Sequence, residues 1–508
     1  MLHSHPVEEV AVRLHPQDDV AIAKTELREG LLLTVEEAPG PQELVVCEPI
    51  PVGHKVALRP LAPGEPVRRY GQIIGFAGRP IRPGEWVHTH NLSLQELDRD
   101  PAFGADVRPV EVVPDRQRRT FLGYRRADGR VGTRNYLAVI STVNCSAHAA
   151  REIARHFTAE RLAPFPHVDG VLALTHCLGC PIQYPLLQRT LAGMARHPNV
   201  GGYLLVGLGC ETNQVAALKA GFGLTGPGLV IQELGGLRRT VQAGIAAVEE
   251  MLPAVNAAVR TAQPLSELML ALQCGGSDAW SGVTANPVVG LVADQVVQQG
   301  GTVVLAETPE IYGAEHLLTR RAVSPEVGHR LLAMVDWWRE YARRMGVDMD
   351  DNRSVGNQAG GLTTIYEKSL GAVAKAGSTP LIAVYDYAEP VTARGFVFMN
   401  SPGYDPVAVT GQVAGGCNLV LFTTGRGSVL GFKPAPCIKV GSHSALYERM
   451  ADEIDLDAGQ VLAGVEMAQV AARLLDLVVA VASGQPTRSE AQGVGEAEFC
   501  PWNVEGVL

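Results

Sequence analysis

The residues best equipped for chemistry sit just after apolar runs. YLAVIST is followed by Asn144, Cys145 and His148, and GVLALT by His176, Cys177 and Cys180. YLLVGLG leads into Cys210, Glu211, Thr212 and Asn213, and LMLALQ into Cys274, Gly275, Gly276, Ser277 and Asp278. TVVLAE closes on Glu307, and LVLFTT runs into Gly425, Arg426 and Gly427. Thiols, imidazoles and carboxylates gathered in turns can bind metal ions or move protons. A single cysteine in such a place reads equally well as a small buried hydrophobe. The recurrence after successive runs favours one shared site, because ligands of open α/β sheets bind beyond the carboxyl ends of the strands.

Two spacings suggest a metal. In EWVHTHN, His88 and His90 are two apart, so an extended strand would project both imidazoles from one face, where they could ligate a divalent ion; the alternative is a pair of exposed histidines on an edge strand. In THCLGC, Cys177 and Cys180 have C-x-x-C spacing without a second such pair, which argues against a zinc ribbon. Cys145, Cys210 and Cys274 could join them around an iron–sulfur cluster, or pack as isolated thiols.

Three further loops suit a polyhydroxylated acid. GRVGTRN places Arg134 and Asn135 before a strand, and TTGRGS sets Arg426 between glycines, where its guanidinium can fork a carboxylate. VGNQAGGLTTIYEKSLG carries Asn357, Gln358, Glu367 and Lys368 beside a Gly-Gly turn. Desolvated, Lys368 could abstract a proton; on a surface it would be a salt-bridge partner. No Walker A or G-x-S-x-G pattern is present, and no G-x-G-x-x-G opens a helix after a strand, so nucleotide binding and a serine nucleophile elbow lack support.

The elements that must position these groups change along the chain. Residues 1–95 alternate short β-rich runs with Pro/Gly turns and predict a small all-β domain. Residues 96–118 form a charged, Pro-bearing linker. From about residue 134, continuous apolar runs alternate with helical stretches such as 146–157, 237–260 and 326–345, the pattern of strands buried on both faces of a mostly parallel sheet. The expected units are 119–263 and 264–508, both α/β and Rossmann-like.

At 508 residues the chain is long enough for about three domains and needs no disulfide staples. Lys plus Arg number 43 against 53 Asp plus Glu, and no basic stripe forms, so no nucleic-acid partner is expected. The most apolar tract, 474–482, is too short to span a bilayer, and the start has acids where a signal peptide needs an apolar stretch. Nine scattered cysteines read as reduced thiols of a cytoplasmic protein. The sequence leaves a homo-oligomer open.

Longer stretches resemble one family. GYRRADGRVGTRN, GLGCETNQ, LQCGGSDAWSGVTANPVVG, LAETPEIYGAEHLLTRRA, GNQAGGLTTIYEKSLGAVAKAGS and VLFTTGRGS are similar to motifs of the altronate/galactarate dehydratase family, nearly end to end. KVALRPLAPGEPVRRYGQIIGFA resembles the SAF (β-clip) domain fused to those enzymes. The WVHTHN ending looks like altronate-type members. The resemblance implies dehydration of D-altronate to 2-dehydro-3-deoxy-D-gluconate, assisted by Fe(2+) or Mn(2+). On that reading His88 and His90 hold the metal, with the first domain capping the sheet edge. Arg134 and Arg426 grip the carboxylate of the small sugar acid, with Asn135, Asn213 and Asn357 as further substrate contacts. Lys368 and His176 serve as base and acid, with Glu211 as a third acidic group. Galactarate dehydration, sulfite elimination from sulfolactate, a [4Fe–4S] hydro-lyase and a non-catalytic sugar-acid binder remain alternatives.

Overall fold

The structure is a computed structural model and describes residues 4–36, 40–97, 99–180 and 185–504. Its largest element follows from the apolar runs. Seven strands form one sheet in the order Leu381–Tyr385, Gly395–Met399, Thr302–Leu305, Met269–Cys274, Leu419–Thr424, Cys437–Gly441 and Leu456–Asp457. All its pairings are parallel. Successive strand residues feed opposite faces, as the two-residue period requires. Leu270 and Leu272 enter the core beneath the helices Ala285–Gln298 and Met467–Ala482, whereas Ala271 enters the core under Asp405–Ala414. Both faces are therefore dry, which explains runs with no alternation.

Strand order locates the crevice. From Met269–Cys274 the chain builds outward on one side through Thr302–Leu305, then returns to the other side with Leu419–Thr424. The reversal between these neighbours is a topological switch point, where loops diverge and leave room for a ligand. The loops there are 275–278 and 425–428.

A second parallel sheet has four strands in the order Gly170–Leu174, Tyr136–Ser141, Val200–Gly207 and Gly228–Val230. Its own switch point lies between Tyr136–Ser141 and Val200–Gly207. Thr120–Arg125 pairs antiparallel with Thr261–Pro264 where this unit meets the larger one. The N-terminal region forms three small sheets, antiparallel apart from His5–Pro6 against Leu32–Val35. The segment between it and the second unit is strapped down: the Val113 amide donates to the Gln298 carbonyl at 2.8 Å, and Asp106 pairs with Arg320 at 2.6 Å.

Candidate functional site

Two groups of polar side chains flank the loop 274–278. The first is buried beneath it. Cys274 ends the central strand, and Glu307 and Glu310 follow the adjacent one; their ligating atoms lie within 4.8 Å of one another. Lys375 Nζ stands 2.6 Å from Cys274 Sγ, and Lys368 Nζ 2.7 Å from Glu310 Oε1. Lys368 also donates to Asn352 Oδ1 at 2.7 Å. Asp405 approaches from the start of the helix Asp405–Ala414, so closely that a Cβ on Gly275 would lie 2.1 Å from its Oδ2. Glycine is needed at 275 for that approach, and at 276 for a φ of +62°.

This group is electrostatically split. Burial raises Glu307 well above the usual carboxylate range, with Glu310 and Asp405 adding repulsion, which favours its protonated form. Neither of its carboxyl oxygens has a hydrogen-bond partner among the described residues, and its backbone is held left-handed at φ +70°. Strain of this kind persists only where surrounding structure enforces it. Burial, with Glu310 beside it, pushes Asp405 up to about 7. Burial would also raise Glu310, but Lys368 and Lys375 outweigh it and hold the carboxylate ionised. Cys274 is pushed up to about 12 by burial and stays a thiol. Two ammonium groups stand against the cluster, so the arrangement can transfer protons and stabilise negative charge.

The second group lies where the N-terminal domain meets the larger sheet. Arg426 leaves the switch-point loop with its backbone amide on the Gly276 carbonyl at 2.8 Å. Its guanidinium is exposed and has no hydrogen-bond partner among the described residues. Beside it, Gly360 packs between Asp278 and Arg426. Asn357 Nδ2 donates to the Ser277 carbonyl at 2.8 Å and Oδ1 accepts from the Ser354 amide, so this residue braces the loop. The His54 ring reaches the Ala359 carbonyl at 3.4 Å and lies 4.9 Å from the His88 ring. The first domain's imidazoles thus adjoin the loop that carries Gly360 to Arg426.

His88 and His90 are not on a strand. The strand is only Trp86–Val87, and the chain then turns, the Asn91 amide closing on the His88 carbonyl at 3.1 Å. Trp86 organises the rings instead, stacking on His88 and tilting against His90. Burial first, then Lys55 and His54, lowers His88 to about 3, with His90 adding to the effect. A neutral imidazole with its Nδ1 buried and unpartnered suits a metal ligand, so the pair fits a divalent ion. His54 does not offer one freely: its Nδ1 already accepts from Trp86 Nε1 at 3.2 Å.

Several expected site residues have other work. Arg134 and Asn135 precede their strand, at the edge opposite the carboxyl ends. The Arg134 guanidinium is spent on Glu490, at 2.7 and 2.8 Å, and on the carbonyls of Thr133, Val481 and Gln485. It ties the C-terminal segment down and is not free to grip a substrate. Asn135 is equally spent, on Arg126, His167 and Val255. Glu211 accepts from Thr142 Oγ1 and from the Leu208 and Gly209 amides, which makes it a loop brace. His176 uses both ring nitrogens on the Ser141 carbonyl and the Leu178 amide, and burial lowers it to about 4. Asn213 bonds the Thr142 carbonyl at 3.0 Å in the same four-stranded unit. Lys368 is in the buried cluster, but burial is outweighed there by Glu310 and its pKa rises, so it is an ammonium rather than a base.

The residues the motifs did not single out are Lys375, Glu310, Asp405 and His54. One signal was available: Lys368 and Lys375 are seven apart, two helical turns, and so share a face.

Residues 9–95 match the family described as Altronate/galactarate dehydratase SAF domain. Residues 123–256 match D-galactarate dehydratase/Altronate hydrolase, second domain, and residues 265–507 match D-galactarate/Altronate dehydratase, C-terminal. The chain belongs to this altronate/galactarate dehydratase family. It is 36% identical to an altronate dehydratase of Escherichia coli (strain K12) over 94% of this chain and 96% of the relative. It is 35% identical to an altronate dehydratase of Bacillus subtilis (strain 168) over the same shares. A galactarate dehydratase (L-threo-forming) of E. coli is 35% identical over 93% of each chain.

Proposed function

We propose that the protein is a hydro-lyase that dehydrates D-altronate to 2-dehydro-3-deoxy-D-gluconate in the cytoplasm. The observation that carries the reading is the electrostatic split around Cys274: in one buried cluster with two ammonium groups, burial drives Glu307 well above the usual carboxylate range and Asp405 up to about 7, while Glu310 stays below it. Dehydration needs an acid and a base whose pKa values are driven apart. The proton at C2 of an aldonate is weakly acidic, so negative charge must be stabilised as it develops on the carboxylate. Asp405 takes that proton, Glu307 gives one to the departing C3 hydroxyl, and Lys368 and Lys375 stabilise the charge. Arg426, at the switch point, binds the substrate carboxylate, and Asn357 keeps its loop in place. His88 and His90 would hold Fe(2+) or Mn(2+), which supplies Lewis acidity towards substrate oxygens. The absence of any helix long and apolar enough to cross a membrane, among the described residues, is compatible with this location.

The test is a 2-keto-acid assay of anaerobically prepared protein with altronate, galactarate and sulfolactate, with and without iron(II). Altronate should give product at least tenfold faster than the others. Faster turnover of galactarate would remove the substrate assignment, and no keto acid from any of them would remove the hydro-lyase reading.

A further inference from the structure

Three thiols unconnected with the cluster around Cys274 converge on the switch point of the four-stranded sheet. Cys145 follows Tyr136–Ser141, Cys180 follows Gly170–Leu174 and Cys210 follows Val200–Gly207. The sulfurs of Cys145 and Cys180 are 3.9 Å apart. Cys210 stands on the neighbouring loop, its sulfur not within 4.8 Å of both others and held by Gln232 Nε2 at 3.4 Å, so it must swing in to complete a ligand set. The loops that carry the thiols are tied to one another. The Asn144 amide bonds the Leu178 carbonyl at 2.9 Å, the Thr212 amide bonds the Cys180 carbonyl at 2.9 Å, and Asn213 reaches Thr142.

Packing does not explain these cysteines. Cys417 and Cys437 show what packing looks like, at 0% and 1% exposed inside the apolar core. Cys145 and Cys210 are exposed, and Cys180 is half-buried. Exposed thiols in contact invite oxidation and contribute nothing to the core.

We propose that Cys145, Cys180 and Cys210 form a three-thiolate site for a thiophilic divalent metal, iron(II) or zinc(II). With a metal–sulfur bond of about 2.3 Å, two sulfurs of a tetrahedral centre stand about 3.8 Å apart, and the Cys145–Cys180 pair already has that spacing. Burial, then Cys145 and Cys210, raises Cys180 to about 11, so its thiolate forms only when a cation compensates it. Metal entry releases the thiol protons to solvent. The helix Ala147–Arg155 begins just after Cys145. Three protein ligands leave a fourth position for water or a hydroxylated ligand, the arrangement of a reactive rather than a structural centre.

This site is independent of the hydro-lyase reading and of the histidines. Cobalt(II) is the probe, titrated into the reduced full-length protein under argon. The expected result is a saturable sulfur-to-cobalt charge-transfer band, bleached by zinc(II) and reduced at least tenfold in Cys145→Ser/Cys210→Ser. It should persist in His88→Ala, which separates it from any ion at the cap. Both substituted cysteines are exposed, so the double variant should melt with the wild type. No band in the reduced wild type, or a band that survives the double substitution, overturns the proposal. A Cys145–Cys180 disulfide as the only chemistry of these thiols overturns it too.

Discussion

Glu367→Gln should loosen the first domain from the larger sheet. Glu367 is wholly buried at their junction and accepts from four donor atoms. Lys55 Nζ lies 2.9 and 3.0 Å from its two oxygens, Arg69 Nη1 is at 2.6 Å, and the Thr363 amide and hydroxyl are at 2.7 and 2.6 Å. Lys55 and Arg69 come from the first domain and are 0% and 1% exposed. Glutamine fills the same space but leaves two buried cations without a counter-charge. Breaking a buried pair from one side costs about 3–5 kcal/mol, or at least about a hundredfold in an opening equilibrium. Amide exchange of Lys55–Ala57, read by mass spectrometry, should therefore quicken about a hundredfold, while the strands of the four-stranded sheet keep their protection. Exchange at Lys55–Ala57 within about threefold of wild type would refute the reasoning.

The intact triad is not a large net stabiliser. Burial opposes ionisation of Glu367, but Lys55 and Arg69 outweigh it and pull its pKa from 4.5 to about 2. Burial also lowers Lys55 from 10.5 to about 8, against the pull of Glu367. At about 1.4 kcal/mol per pH unit these are shifts of about 3 kcal/mol each, with opposite consequences near pH 7. The contribution of Glu367 is complete above pH 4.5 and is lost as pH falls towards 2. The penalty from Lys55 is complete below pH 8 and lifts as pH rises towards 10.5. The two oppose each other at neutral pH, so the triad fixes where the cap sits more than how firmly the chain folds.

Two further outcomes concern the site. With Asp405 as base at about 7, wild-type kcat/KM should rise through that pH as the carboxyl loses its proton; Asp405→Asn should lose at least a hundredfold in rate, and the limb with it. A pH–rate profile with the limb intact in the variant would assign the base elsewhere. Arg134→Met, which leaves Glu490 half-buried and unpaired, should cost about 3 kcal/mol in denaturant unfolding yet leave KM for the sugar acid within about twofold; a tenfold rise in KM without loss of stability would return Arg134 to the substrate.

The strands were legible because burial on both faces leaves an unbroken apolar run, and those from YLAVIS to LVLFTT are all parallel strands. Placement of the polar groups was only half legible. A residue after a strand reaches the ligand edge, and Cys274, Glu307 and Arg426 do. A residue before one reaches the far edge, and the richness of GRVGTRN in Arg and Asn concealed that Arg134 and Asn135 serve structure there. Glu367 and Lys368 show the finer limit. Neighbours on a helix point about 100° apart, so one faces the cap and the other the buried cluster, and only the tertiary structure says which. The role of His54 depends on a contact with Ala359 across 305 positions of sequence, which no local spacing encodes.

The loop 274–278 gives these separate observations one physical logic. Its first residue, Cys274, belongs to the acid–base cluster, and its last, Asp278, is bound by Ser281 and Ser442 beneath the Arg426 loop. Gly360, from the segment that meets His54, packs on Asp278. A displacement of the cap therefore presses on Gly360 and Asp278, while the proton-transfer groups are held from beneath by Lys368 and Lys375. On the proposed mechanism, the cap then governs the carboxylate-binding end of the site and the buried cluster governs proton movement. Loosening the cap should weaken substrate binding before it alters the chemistry, so Glu367→Gln should raise KM more than it lowers kcat, with Lys368→Met doing the reverse.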